Sequence, residues 1–273
     1  MISLFGRKNK KEAFPLDNIF HCCAHKTGSQ WVRAFMSDPL IRQKTGLEVH
    51  TYMKSMPEGV DSRKVDERFF DQPFPLKKIV SPLYLSRQGY ESIPKPESFA
   101  SFYIYRNPRD ILISYYFSVR ETHAPNEKLS KARSELQQLG AEEGLIYAID
   151  SMNEQGYFRA LSSWFEKPVT ADEGSGKMKK FRFEDLTDFS TGLIAELFLH
   201  CSIRLSKNEL ASIESAYSFA SMQKKDGRKE KGHYRSGVHG EWKKYFTERV
   251  TEKFTAVTGD LYSRMGYEES DKR

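Results

Sequence analysis

Three cysteines in 273 residues, two of them adjacent at Cys22 and Cys23, cannot build a disulfide framework. The thiols are expected to be reduced, as in an intracellular protein. No run approaches the roughly 20 consecutive apolar residues that a membrane helix needs. The basic start, Met1 to Lys11, lacks the apolar core of a signal peptide. Residues 1–15, with Arg7, Lys8, Lys10 and Lys11, therefore read as a solvated tail, and the chain is expected in the cytoplasm. Neither sign of charge dominates: 43 Lys and Arg against 37 Asp and Glu leave +6. That mild excess suits an anionic small ligand and excludes a basic surface that coats nucleic acid. There is no internal repeat, no clustered set of metal ligands, and no G-x-x-x-x-G-K-[ST] phosphate loop.

What is present is an apolar share of 38% with 13% aromatics, enough for the core of one large domain, placed at 16–268. Buried-strand patterns fall at Asn18 to Cys23, Lys77 to Ser81, Phe99 to Tyr105 and Lys179 to Phe183. Helical patterns alternate with them: Gln30 to Met36, Pro108 to Thr122, Leu136 to Trp164, Gly192 to His200 and Lys207 to Tyr217. Residues 38–76 predict loops and short helices, Lys224 to Arg235 a mobile loop, and Phe246 to Met265 a closing helix. Alternation of this kind predicts an α/β fold, a single domain with a central parallel sheet flanked by helices, whose ligand lies at the carboxyl ends of the strands.

Two such strand ends carry chemistry. The run Phe99 to Tyr105 stops on Arg106; Asn107 can cap a helix, Pro108 suits its first turn, and Asp110 complements its positive end. Ser114 follows two turns in. A guanidinium at a strand end beside a hydroxyl-bearing helix is suited to a phosphate. After the first strand, His25-Lys26-Thr27-Gly28-Ser29-Gln30-Trp31 places a glycine between hydroxyl residues, so that backbone N–H groups can turn to an anion with Lys26 as a point charge.

Together these segments resemble the sulfotransferases that use 3′-phosphoadenosine-5′-phosphosulfate (PAPS). Lys26 to Trp31 is similar to the family's K-[ST]-G-T-T-W loop for the 5′-phosphosulfate. Arg106 to Tyr116 reproduces its R-N-P-[KR]-D-x-x-x-S-Y-Y motif for the 3′-phosphate. Phe181 to Leu186 resembles a Y-E-D-L segment, with Phe183 in place of the tyrosine. Ser218 to Met222 resembles S-F-x-x-M, whose aromatic, here Phe219, lies near adenine. Tyr234 to Trp242 resembles R-K-G-x-x-G-D-W, with Arg235 and Gly237 closing on the 3′-phosphate and Ser236 in place of lysine. The resemblance spans about residues 18–265 and implies a P-loop-like architecture with PAPS as co-substrate and no metal. Lys26, Thr27, Gly28, Ser29, Gln30, Trp31, Arg106, Ser114, Phe219, Arg235, Ser236 and Gly237 would hold the nucleotide.

For sulfuryl transfer, Lys26 is expected to stabilise charge on the bridging oxygen, with Ser114 beside it. The base is open. Cytosolic relatives carry a histidine in a K-T-H-x-P segment, and Lys78-Ile79-Val80-Ser81-Pro82 lacks it. His50 is the candidate, with Glu48 next. The acceptor is expected to bear a hydroxyl, on a small molecule, glycan or lipid, with an amine as a further option; its identity and the oligomeric state are not legible. A P-loop kinase would need an aspartate at a strand end for magnesium, where this chain has Arg106. A relative that binds nucleotide without transferring sulfate is the other alternative.

Overall fold

The computed structural model describes residues 13–122, 127–166, 171–226 and 239–268. Five strands form one all-parallel sheet: β1 (Asn18–Cys23), β2 (Glu48–His50), β3 (Lys78–Leu83), β4 (Phe99–Tyr105) and β5 (Met178–Arg182), in the order β2-β3-β1-β4-β5. Every residue of β1 is buried, as a central parallel strand covered on both faces requires. Its side chains alternate between two cores. Phe20 and Cys22 join Val80, Tyr103, Leu112, Leu145 and Trp164 on one face. Ile19 and Cys23 join Phe35, Ile79, Phe102, Phe198 and Leu197 on the other.

The helices follow local chemistry. Helix α1 (Ser29–Met36) leads from β1, and α2 (Pro39–Thr45) starts on Pro39 with Asp38 accepting from the Leu40 N–H. Ser86 caps α3 (Arg87–Glu91). The joint after β4 forms as the residues predict: Asn107 accepts from the Arg109 N–H at 3.0 Å and α4 (Pro108–Phe117) begins on the proline. It runs on through a π turn at Ser118–Thr122. Helices α5 (Glu127–Gln138), α6 (Ala141–Glu154), α7 (Tyr157–Ser163) and α8 (Ala171–Gly174) precede β5. After it come α9 (Phe183–Thr187), α10 (Leu193–His200), α11 (Lys207–Ala216), α12 (Phe219–Asp226), α13 (Glu248–Thr258) and α14 (Leu261–Arg264). Among the described residues no helix is long and apolar enough to cross a membrane.

Three expectations change. The helical pattern from Leu136 to Trp164 is broken twice: between Gln138 and Ala141, and at Gly156, which takes φ 72° with the Asp66 carboxylate in the space a Cβ would need. The closing helix breaks at Gly259, whose φ is 57°. The segment 38–76, expected to hold only loops and short helices, supplies the edge strand β2, three residues long and half exposed. Of the loop expected over Lys224 to Arg235, the first residues belong to α12 and 227–235 lie outside the described residues.

Trp164 binds three elements. Its indole stacks on Tyr103 of β4 with centroids 4.1 Å apart, lies 5.4 Å from the Tyr90 ring of α3, and donates Nε1–H to the Leu85 carbonyl at 3.1 Å. Trp164→Ala is expected to lower unfolding free energy by about 3–5 kcal/mol, the usual cost of deleting a buried tryptophan. Urea unfolding followed by far-UV circular dichroism measures this, and a loss under about 1 kcal/mol would contradict the packing described.

Candidate functional site

The carboxyl ends of β1 and β4 lie side by side, with Cys23 in register with Ile104. From this edge β1 leads towards β2 and β3 on one side and β4 leads to β5 on the other, so the order of the sheet reverses here. The loop after β1 is wound tightly. Lys26 has φ 65° and Gly28 φ 71°, and the buried Thr27 donates its hydroxyl to the Ala24 carbonyl at 2.6 Å. A Cβ on Gly28 would collide with the Phe183 ring, so the position demands glycine twice over. Helix α1 then starts with no side-chain cap, whereas α2, α3 and α4 are capped by Asp38, Ser86 and Asn107. An eight-residue helix with an uncapped start offers its first amides and its dipole to an anion.

On the β4–β5 side, Arg106 reaches over this loop. Its Nη1 donates to the Lys26 carbonyl at 3.2 Å, and its guanidinium lies 5.2 Å from the centre of the Phe183 ring. Its Nε is buried without a hydrogen-bond partner among the described residues, which is costly unless a ligand supplies one. Phe183 also packs edge-on against Trp31 and His239. Glu184 accepts from the Asn107 N–H at 3.0 Å and from Tyr267 at 2.9 Å, which fastens α9 to the start of α4. Asp110, 2% exposed, accepts from the backbone N–H groups of Gly240 and Trp242 at 2.8 and 3.1 Å. It thereby pins the described end of the late glycine-containing segment beside Arg106. His239 shares a 2.9 Å hydrogen bond with Thr187, and its Nδ1 is buried without a partner among the described residues. Burial holds the His239 pKa below the usual value and Arg106 pushes the same way, against Glu184, Asp110 and Asp185.

Trp31 is 6% exposed, edge-on to Phe35 at 5.1 Å, and donates Nε1–H to the Tyr217 carbonyl at 2.7 Å. The packing leaves little of its face open; what it does is hold the chain just ahead of Phe219. Phe219, at the start of α12, is 41% exposed. Ser114 lies half-buried on α4, two turns from the Asn107 cap. Arg235, Ser236 and Gly237 lie outside the described residues.

The other side of the loop, towards β3, is aromatic. The His25 ring stacks on Tyr84 at 3.8 Å and 22°, and lies 4.5 Å from Tyr157. Tyr157 meets Tyr115 at 5.7 Å, and Tyr52 stands edge-on to Tyr84 at 6.1 Å. Buried Arg68 donates to the Tyr84 carbonyl at 2.8 Å and to the Tyr52 hydroxyl at 3.1 Å, tying the 38–76 segment to the end of β3. Tyr84 and Ser29 share a hydrogen bond of 2.5 Å, so the Ser29 hydroxyl faces this side. Burial pushes the Tyr84 phenol well up, so it stays protonated.

His50 is not brought to this edge. In register it is level with Val80 and so with Phe20, three residues short of the end of β1 and on the far side of β3. That is about 10 Å back along the strands and about 10 Å across them. Its Nε2 shares a hydrogen bond with Ser55 at 3.0 Å, and burial, then Lys54 and Lys78, lower its pKa. Glu48 is further from a base's role: the Lys78 ammonium, hydrogen-bonded to it at 3.0 Å, and Arg42 hold its carboxyl below the usual range. Two neighbours escape a reading by motif: Tyr84 carries no signal beyond being aromatic, and His239 falls at a variable position of the late segment. Asp110 belongs to the motif after β4, but its hold on the Gly240–Trp242 turn is not visible in the sequence.

The family model for the Sulfotransferase domain matches residues 16–266. A flavonol sulfotransferase-like protein of Flaveria bidentis is 24% identical over 277 residues, covering 93% of this chain and 84% of that protein. The flavonol 4′-sulfotransferase of Flaveria chlorifolia is 22% identical over 278 residues, covering 92% and 80%. Among solved structures, mouse sulfotransferase SULT7A1 complexed with PAP superposes with a TM-score of 0.57 at 15% identity, over 92% of this chain and 86% of that one. Retinol dehydratase in a complex with retinol and PAP gives 0.55 at 15%, over 94% and 82%. Gly28→Ala is expected to weaken binding of 3′,5′-adenosine bisphosphate at least tenfold, since a strained Cβ costs roughly 1–2 kcal/mol and must also displace Phe183. Calorimetric titration checks it; unchanged affinity in a folded variant would contradict the geometry.

Proposed function

Because the chain belongs to the sulfotransferase family, we propose that it moves the sulfuryl group of PAPS to a hydroxyl acceptor by in-line transfer, releasing 3′,5′-adenosine bisphosphate. One observation carries the reading of the site: an uncapped helix start behind a left-handed loop, with an arginine from the neighbouring strand drawn across it. The loop Lys26 to Trp31 would hold the 5′-phosphosulfate through the first amides of α1. Arg106, whose buried Nε lacks a partner among the described residues, would take the 3′-phosphate with Ser114 and, by resemblance, Arg235, Ser236 and Gly237. Phe219 would cover adenine, with Trp31 fixing the chain ahead of it.

The acceptor oxygen attacks sulfur opposite the bridging oxygen, the sulfur–oxygen bond to the phosphate breaks, and charge grows on that oxygen. Lys26, at the turn between the two sides of the loop, is the group to neutralise it. The aromatic rings on the β3 side suit a flat hydroxylated acceptor, in keeping with relatives named for flavonols. Arg106 at the end of β4, in the place where a kinase would need a magnesium-organising aspartate, speaks against phosphoryl transfer.

Lys26→Ala is expected to lower kcat by roughly 10²–10³-fold, the usual loss when one donor to a developing oxyanion is removed. Bisphosphate affinity, measured separately, should change by only a few-fold. A near-normal kcat would contradict the role given to Lys26. Wild-type protein should bind 3′,5′-adenosine bisphosphate and not ATP in parallel titrations; tight ATP binding without bisphosphate binding would overturn the donor assignment.

A further inference from the structure

We propose that His25, the residue before Lys26, is the base that takes the acceptor's proton. The assignment rests on the sulfuryl-transfer reading above and supplies the group that this reading leaves unfilled. The first support is position. Lys26 sits between two faces of one loop. Arg106, Phe183 and His239 gather on the β4–β5 face, and His25 turns to the β3 face, against Tyr84 and Tyr157. In-line displacement needs the acceptor on the opposite side of sulfur from the leaving phosphate. With the nucleotide on the Arg106 face, the acceptor comes to the His25 face. Chain connectivity alone keeps the imidazole within one residue of the group that stabilises the leaving oxygen.

The second support is orientation. The imidazole is stacked flat on Tyr84 at 3.8 Å and 22° and flanked by Tyr157 at 4.5 Å. Tyr84 is itself fixed by Ser29 at 2.5 Å and by Arg68 on its carbonyl. The ring is thus held by its faces, as a base that must present a nitrogen edge to a hydroxyl requires. It is half-buried and lines a narrow cavity with Met152, Tyr157 and Leu161.

The third support is that the other described histidines are engaged elsewhere. His21 is wholly buried, hydrogen-bonded to Ser81 at 2.8 Å, its pKa lowered by burial to about 3. His200 donates to the Ser101 carbonyl at 2.7 Å, His239 lies on the Arg106 face, and His50 stands back on the edge strand. In the step itself the acceptor O–H gives its proton to the imidazole as the new O–S bond forms. The old S–O bond breaks with its electron pair left on the 5′-phosphate, and the imidazolium then loses its proton to water.

The test uses two phenols of similar shape with labelled PAPS: an alkyl phenol, whose hydroxyl ionises near pH 10 as tyrosine's does, and a nitro-substituted phenol already ionised near neutrality. His25→Ala should cut kcat by about 10²–10³-fold for the alkyl phenol and by less than about tenfold for the pre-ionised one, which needs no base. His25→Gln, which keeps a hydrogen-bonding side chain without a base, should behave as His25→Ala does. Both variants should bind 3′,5′-adenosine bisphosphate within a few-fold of wild type, which shows them folded. Equal losses with the two phenols, rescue by glutamine, or an unchanged kcat would overturn the assignment while leaving sulfuryl transfer in place. Binding of bisphosphate with no transfer by wild type to either phenol would overturn both.

Discussion

The hydrogen bond from Arg106 to the Lys26 carbonyl joins the two strand ends on which everything else is arranged. It holds a cation against a loop whose helix start has no capping side chain, so the loop and the arginine together have the chemistry to receive an anion. Phe183 lies beneath both, close enough to Gly28 to exclude any side chain there and near enough to Arg106 to support its guanidinium. Glu184 and Asp110 complete the frame with backbone N–H groups from α4 and from the Gly240–Trp242 turn. A charged side chain half-sunk in such a frame has lost water contacts that an anionic ligand would replace.

The order of the sheet turns this joint into a two-sided site. Strands β4 and β5 lie to one side of β1 and lead into Arg106 and Phe183, which lie against each other. Strands β3 and β2 lie to the other, and the chain leaving β3 carries Tyr84 under His25. A transfer reaction needs such a division, with donor and acceptor meeting at one atom and entering from different directions. Lys26 stands at the boundary because it occupies the left-handed turn between strand and helix.

The strands and the loops that follow β1 and β4 were legible in the sequence because they rest on local signals. Buried runs end abruptly, Asn107 and Pro108 announce a helix, and Lys26 to Trp31 and Arg106 to Tyr116 carry a dense, ordered pattern. The rest depends on contacts between distant residues. Gly156 breaks a helix with a left-handed turn, and the Asp66 carboxylate, 90 positions earlier, lies where a side chain there would go. His50 lies near the first helix in the chain, while strand register sets it back from the loop after β1, which no residue spacing reveals. His25 reads as a residue that shapes the loop, since the partners that orient it, Tyr84 and Tyr157, are contributed by β3's end and α7. Strand β2 escapes notice because three half-exposed residues hold too little of an alternating pattern to register.

In the proposed function Arg106 recognises the 3′-phosphate. The direct measurement is calorimetric comparison of 3′,5′-adenosine bisphosphate with adenosine 5′-monophosphate, in wild type and in Arg106→Ala. Wild type should favour the bisphosphate by at least about 10²-fold, in line with the roughly 3 kcal/mol that a charged hydrogen-bonded contact carries. The variant should lose most of that preference while its affinity for the monophosphate hardly moves. Equal affinity of wild type for the two nucleotides, or a preference that survives without Arg106, would contradict it.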